Sequence, residues 1–108
     1  MYTLYPTRLE MFTSGPTDAE RSTAAEHWVY SQQMLRKGAV VFAGRAIEPT
    51  SEGAFALVVI RADSGDAART LMNADPAVKS GIFRARLFPF QPMLMGEWPA
   101  EAATAIPV

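Results

Sequence analysis

His27 is the only histidine in this 108-residue chain, and there is no cysteine. An unperturbed imidazole titrates at about pH 6.5, so it can exchange protons near neutrality. The segment NADPAVKSG supplies a second candidate, Asp75, directly before Pro76. A carboxylate bonded to one ring nitrogen fixes the imidazole tautomer and frees the other nitrogen as a general acid or base. Each residue also has a plainer reading. Asp is a favoured N-cap and Pro suits the first helical position, so Asp75-Pro76 reads equally as the start of one helical turn. His27 reads equally as a core imidazole bonded to a backbone carbonyl or to a hydroxyl such as that of Tyr30. A buried polar group left unsatisfied costs about 1–3 kcal/mol. Residue types alone leave both readings open.

Other chemistries have less support. One histidine and no cysteine cannot supply the usual nitrogen and sulfur ligand sets, so no metal site is expected. Glycine-rich phosphate loops are absent, and no organic cofactor is implied. Ser31 lies one turn beyond His27, but no nucleophile elbow marks it as reactive. Arg8, Arg45, Arg61, Arg84 and Arg86 fall on expected strands. There a guanidinium either clamps a substrate carboxylate or merely solubilises the surface.

These residues need elements to position them. Thr17 to Lys37 predicts one long helix. Thr17 with Glu20 three residues on matches a capping box, Arg36 and Lys37 suit the last turn, and Gly38 stops it. Upstream, Thr7–Phe12 predicts a first strand, broken by Ser14, Gly15 and Pro16. Ala39–Ala46 predicts the second strand, IEPTSEG a polar loop, and Ala54–Ala62 the third strand. A shorter helix follows over DAARTLMNA. Asp75-Pro76 opens one more turn, which Gly81 ends, and the last strand runs from Ile82 to about Phe90. The order β-α-β-β-α-β is the ferredoxin-like plan, an α+β fold with an antiparallel sheet. Residues 1–95 are expected to form this domain. Residues 96–108 form a small, apolar, proline-punctuated tail, either a disordered end or an arm that packs Trp98 on a neighbour.

On a helical wheel Ala24, Trp28, Ser31 and Leu35 form one stripe, flanked by Met34 and Tyr30. His27 falls between these groups, on the face expected to meet the sheet. The strands predict burial on both sides of that sheet. Val40 and Phe42 oppose Val41 and Ala43. Ala54, Ala56, Val58 and Ile60 oppose Phe55, Leu57 and Val59. Two helices cover only one face, so a homodimer with sheets packed face to face is expected, unless the tail folds over the open face.

Composition agrees with a single globular domain: 49% hydrophobic and 19% charged, with formal net charge −1. No basic stripe suggests a nucleic-acid partner. The N-terminal MYTLYPTRLEMF does not read as a secretory signal, and no apolar run approaches the roughly 20 residues that span a bilayer. A cytoplasmic location with no membrane partner is the expectation.

The segments HWVYSQQMLRKGAVVFAGRA, AFALVVIRA and NADPAVKSGIFRARLFPF, in this order, resemble the YCII-related (YciI-like) family. The resemblance runs from about His27 to Phe90. It implies a ferredoxin-like domain that pairs into a dimeric α/β barrel. It also implies a His-Asp pair lining a pocket beside the sheet, carried here by His27 and Asp75. Gly44 and Gly81 match the family's small residues after the second strand and before the last. The family often has proline where this chain has Arg45. With the pocket so placed, Arg45, Tyr30 and Phe83 become candidate substrate-binding residues, Tyr30 and Phe83 being equally readable as core. The implied function is a cofactor-independent lyase or isomerase acting on a small organic molecule. The alternatives are a non-catalytic module that binds a small ligand, and a dimerisation unit whose polar pair only stabilises the core.

Overall fold

A computed structural model describes residues 1–48, 50 and 53–97. In chain order the elements are β1 (Tyr2–Pro6), α1 (Glu10–Thr13), α2 (Asp18–Arg36), β2 (Val40–Arg45), β3 (Ala56–Ile60), α3 (Gly65–Ala74), α4 (Pro76–Lys79) and β4 (Phe83–Leu87). The strands form one antiparallel sheet in the order β2-β3-β1-β4. This is the ferredoxin-like α+β arrangement, with β1 and β3 central and β2 and β4 at the edges. No helix of the described residues is long and apolar enough to cross a membrane. Trp98 and the rest of the expected tail from residue 98 onward lie outside the described residues, as do Pro49, Ser51 and Glu52 of the expected polar loop.

The first strand differs from expectation. It occupies Tyr2–Pro6, while most of TRLEMF lies in a turn and the short helix α1. YTLY alternates as cleanly as TRLEMF, and its Tyr2 and Leu4 are buried against the helices. Pro6 closes the strand, where a missing N–H is tolerated. Met11 contributes to the core from α1 instead of from a strand. Arg8 consequently stands in the turn before α1 and not on the sheet.

Helix α2 begins as its sequence requires. The Glu20 N–H donates to Thr17 Oγ1 at 3.1 Å, and the Thr17 N–H donates to Glu20 Oε1 at 2.8 Å. Arg8 then donates to both oxygens of Glu20, at 3.1 and 2.6 Å. Beyond the helix end Gly38 takes φ +80°, and Gly81 takes φ +85° before β4. Side chains with a Cβ disfavour that region, so these two glycines let the chain turn back to the sheet.

The buried stripe of α2 is rotated from the one the wheel favours. Trp28 is 63% exposed and Leu35 56%, and Ala24 is exposed too. The buried or partly buried positions of α2 are Glu20, Thr23, His27, Tyr30, Ser31, Gln32 and Met34, so Ser31 alone of the expected stripe turns inward. Polar side chains occupy much of that face because they have partners inside.

The second strand also departs from simple alternation. A register shift lies between Val40 and Phe42. A bulge of this kind puts an extra residue on one strand and reverses the facing beyond it. Val40 and Ala43 therefore pair with Ile60 and Val58, while Phe42 and Gly44 pair with Val59 and Leu57. Val40 and Val58 are buried under the helices, whereas Phe42 is 54% exposed on the other face. Phe55, just before β3, stacks on Phe12 at 4.6 Å and on Phe83 at 5.4 Å between ring centres. It thus joins the core and not the open face.

Candidate active site

Asp75 sits where α3 hands over to α4. It is the last cap of one helix and the N-cap of the next, with φ −63° and ψ 123°. Pro76 at the first helical position enforces that extended conformation, because a residue before proline avoids the helical region. The side chain has no solvent exposure. A carboxylate so placed needs several donors, since burying an uncompensated charge is costly. Three converge on it. The Ala77 N–H donates to Oδ1 at 2.9 Å, the Tyr2 hydroxyl donates to Oδ2 at 2.8 Å, and His27 Nδ1 lies 2.7 Å from Oδ1. An ionised carboxylate only accepts, so with Asp75 in that form the contact assigns the hydrogen to Nδ1. The cap and the histidine contact are therefore made by the same oxygen.

His27 reaches Asp75 from the inward stripe of α2, and Tyr2 reaches it from β1. The His27 side chain is 25% exposed. Its Nε2 makes no hydrogen bond among the described residues, and no buried side-chain nitrogen or oxygen there lacks a partner. Nε2 therefore opens to solvent. Burial, followed by the Asp75 charge, pushes the Tyr2 phenol well above its ordinary value. Tyr2 is accordingly a fixed donor to Asp75 through the working pH range.

Tyr30 does not bond to His27. Its hydroxyl donates to the Leu71 carbonyl at 2.7 Å. That carbonyl lies in the last turn of α3, and the Asp75 N–H bonds to Met72 O instead. Tyr30 thus occupies one of the free carbonyls at a helix end and ties α2 to α3. Burial first, then the Asp75 charge, raises its phenol as well. Phe83 is buried and stacks on Phe55, so it is a core residue. Arg45 ends β2, is exposed, and forms no ion pair among the described residues.

Tyr2 and Tyr30, with Met34, Val40, Ile60 and Leu71, line a crevice too narrow for a water molecule. An open depression of about 540 Å³ lies elsewhere, between Lys37–Ala39, Arg61–Asp63 and α3. Neither is lined by His27 or Asp75. The expected cavity at the pair is not one of these two; the ring instead meets solvent directly. Sequence reasoning missed Tyr2. The available signal was the alternation of YTLY, which places a tyrosine on the inward side of β1.

The profile of the YCII-related domain matches residues 4–91. The chain belongs to the YCII-related domain family. No curated protein matches it. A similar solved structure is 5-chloro-2-hydroxyhydroquinone dehydrochlorinase from Burkholderia phenoliruptrix AC1100, in complex with 2,5-dihydroxybenzoquinone. It is 14% identical with a TM-score of 0.55, over 83% of this chain and 93% of that one. At that identity the likeness is one of fold.

Proposed function

We propose that this YCII-related chain is a cofactor-independent enzyme of the lyase or isomerase type, with His27 as the proton-transfer group and Asp75 as its partner. One observation carries the reading: Asp75 is fully buried, its oxygens are held by Tyr2 and the Ala77 N–H, and His27 Nδ1 lies 2.7 Å from it while Nε2 meets solvent. A ring anchored at one nitrogen and open at the other suits general acid–base work. In an elimination, Nε2 takes a proton from the substrate and a π bond forms as the leaving group departs with its bonding pair. The step is redox-neutral, and water then removes the proton from Nε2. Asp75 offsets the charge of the imidazolium while the proton is held. The similar structure named above is a dehydrochlorinase, and that reaction class is an elimination. Arg45, at the exposed end of β2, remains our candidate for a substrate carboxylate, and Tyr30 orders the helix pair behind the site.

The reading includes a homodimer. Phe42, Leu57 and Val59 share the sheet face away from the helices, and Phe42 is more than half exposed. A second copy of that face is the simplest cover for it.

Chloride release from 5-chloro-2-hydroxyhydroquinone and related chlorinated hydroquinones tests the chemistry. His27→Ala and Asp75→Asn should each lower turnover by roughly 10²–10⁴-fold while the thermal transition remains cooperative. Turnover that persists in both folded variants contradicts the assignment. Tight binding with no turnover in the unaltered protein contradicts the enzyme reading itself.

A further inference from the structure

The sheet face turned away from the helices carries a second polar cluster, unrelated to His27. There Arg84 and Arg86 of the edge strand β4 pair with Tyr5 and Thr3 of β1. Arg84 Cζ stands 5.9 Å from the centre of the Tyr5 ring, and Arg86 Cζ stands 5.2 Å from that of Phe88. A guanidinium stacked on a ring keeps its N–H edges available for a planar acceptor. Thr3 Oγ1 donates to the Tyr5 hydroxyl at 3.3 Å, so the phenol's own hydrogen stays free to be donated. That bond, with Arg86 and Arg84 nearby, lowers the Tyr5 phenol below its ordinary value. Arg8 and Arg21 each pair with a carboxylate, but neither Arg84 nor Arg86 does so among the described residues.

The result is a group of donors with no carboxylate paired to it among the described residues. The paired strand residues that share this face are Thr3, Tyr5, Phe42, Gly44, Leu57, Val59 and the two arginines, none of them acidic. A second copy packed on the face brings the same residues, so the paired strands would offer no carboxylate either. Both arginines are exposed, so their N–H edges are open to an anion from solvent. A guanidinium fork fits a carboxylate bidentately. We propose that Tyr5, Arg84 and Arg86 form a binding site for the carboxylate group of a small organic acid, on the opposite side of the sheet from His27. Because β4 is an edge strand, the site lies at the rim of that face and stays reachable when the centre is covered.

Calorimetric titration of the full chain with sodium benzoate and with sodium acetate, at constant ionic strength, tests this. Saturable uptake of at least one is expected, weakened roughly tenfold or more in Arg84→Gln and in Arg86→Gln and unchanged in Arg61→Gln. Backbone amide shifts in the unaltered protein give a reading independent of the variants, and they should move at Tyr5, Arg84 and Arg86. The proposal is overturned if neither acid binds saturably, if both variants bind as well as the parent, or if the shifts cluster around His27 instead.

Discussion

Both oxygens of Asp75 are held by donors from separate parts of the fold: Tyr2 in β1, His27 in α2 and the first turn of α4. Such a group does more than cap a turn. Removing one donor leaves a buried acceptor short of a partner, at a cost of about 1–3 kcal/mol. Tyr2→Phe should therefore lower unfolding stability by about that amount, with little change in the denaturant slope, as read by urea titration. A loss well under 1 kcal/mol would mean that water replaces the hydroxyl. The chemistry of this site was partly legible in the sequence. A lone histidine and an Asp-Pro junction stand out by type, whereas their distance does not, because 48 residues and three elements separate them. Tyr2 was hidden for a different reason: a tyrosine in an alternating strand looks like any other core residue until its hydroxyl has a partner.

At the scale of elements, the start of α2 carries a pH dependence. Arg8, then the Thr17 backbone, hold the Glu20 carboxyl down to about 2, from an ordinary value near 4.5. A depressed carboxyl stabilises the fold above its unfolded value, and that contribution is lost as pH falls toward the folded one. Stability measured by chemical denaturation should therefore drop between about pH 4.5 and pH 2 in the unaltered protein. Glu20→Gln should flatten that part of the profile; an unchanged profile would place the acid sensitivity elsewhere. The capping box was readable because its two residues are three apart and act locally. The buried stripe of α2 was not. Trp28 and Leu35 dominate a hydrophobicity-weighted wheel, yet the face that packs inward carries Glu20, His27 and Tyr30, each with a polar partner. The bulge in β2 was similarly invisible, since an extra residue leaves no mark on an all-apolar run such as AVVFA. Gly38 and Gly81, by contrast, mark their turns plainly.

For the whole molecule, the order of elements determines what is brought together. The placement of β1 between β3 and β4 brings Tyr2 under the α3–α4 junction, and among the described residues the helices cover one sheet face while Phe42 stays more than half exposed on the other. The two-sided apolar character of β3 is the sign of that second apolar face in the sequence. Light scattering should give twice the chain mass at micromolar concentration, and Leu57→Lys should return it to the monomer with the helix signal retained. A monomer in the unaltered protein would remove the dimer from the account and leave the His27 site untouched, because that site uses residues of one chain.

With a single histidine, a long-range proton–nitrogen correlation spectrum contains one side-chain imidazole to assign. The account predicts a hydrogen on Nδ1, seen as a downfield Nδ1 proton that disappears in Asp75→Asn. A ring carrying its hydrogen on Nε2, or a spectrum unaffected by Asp75→Asn, would contradict the proposed proton-transfer site.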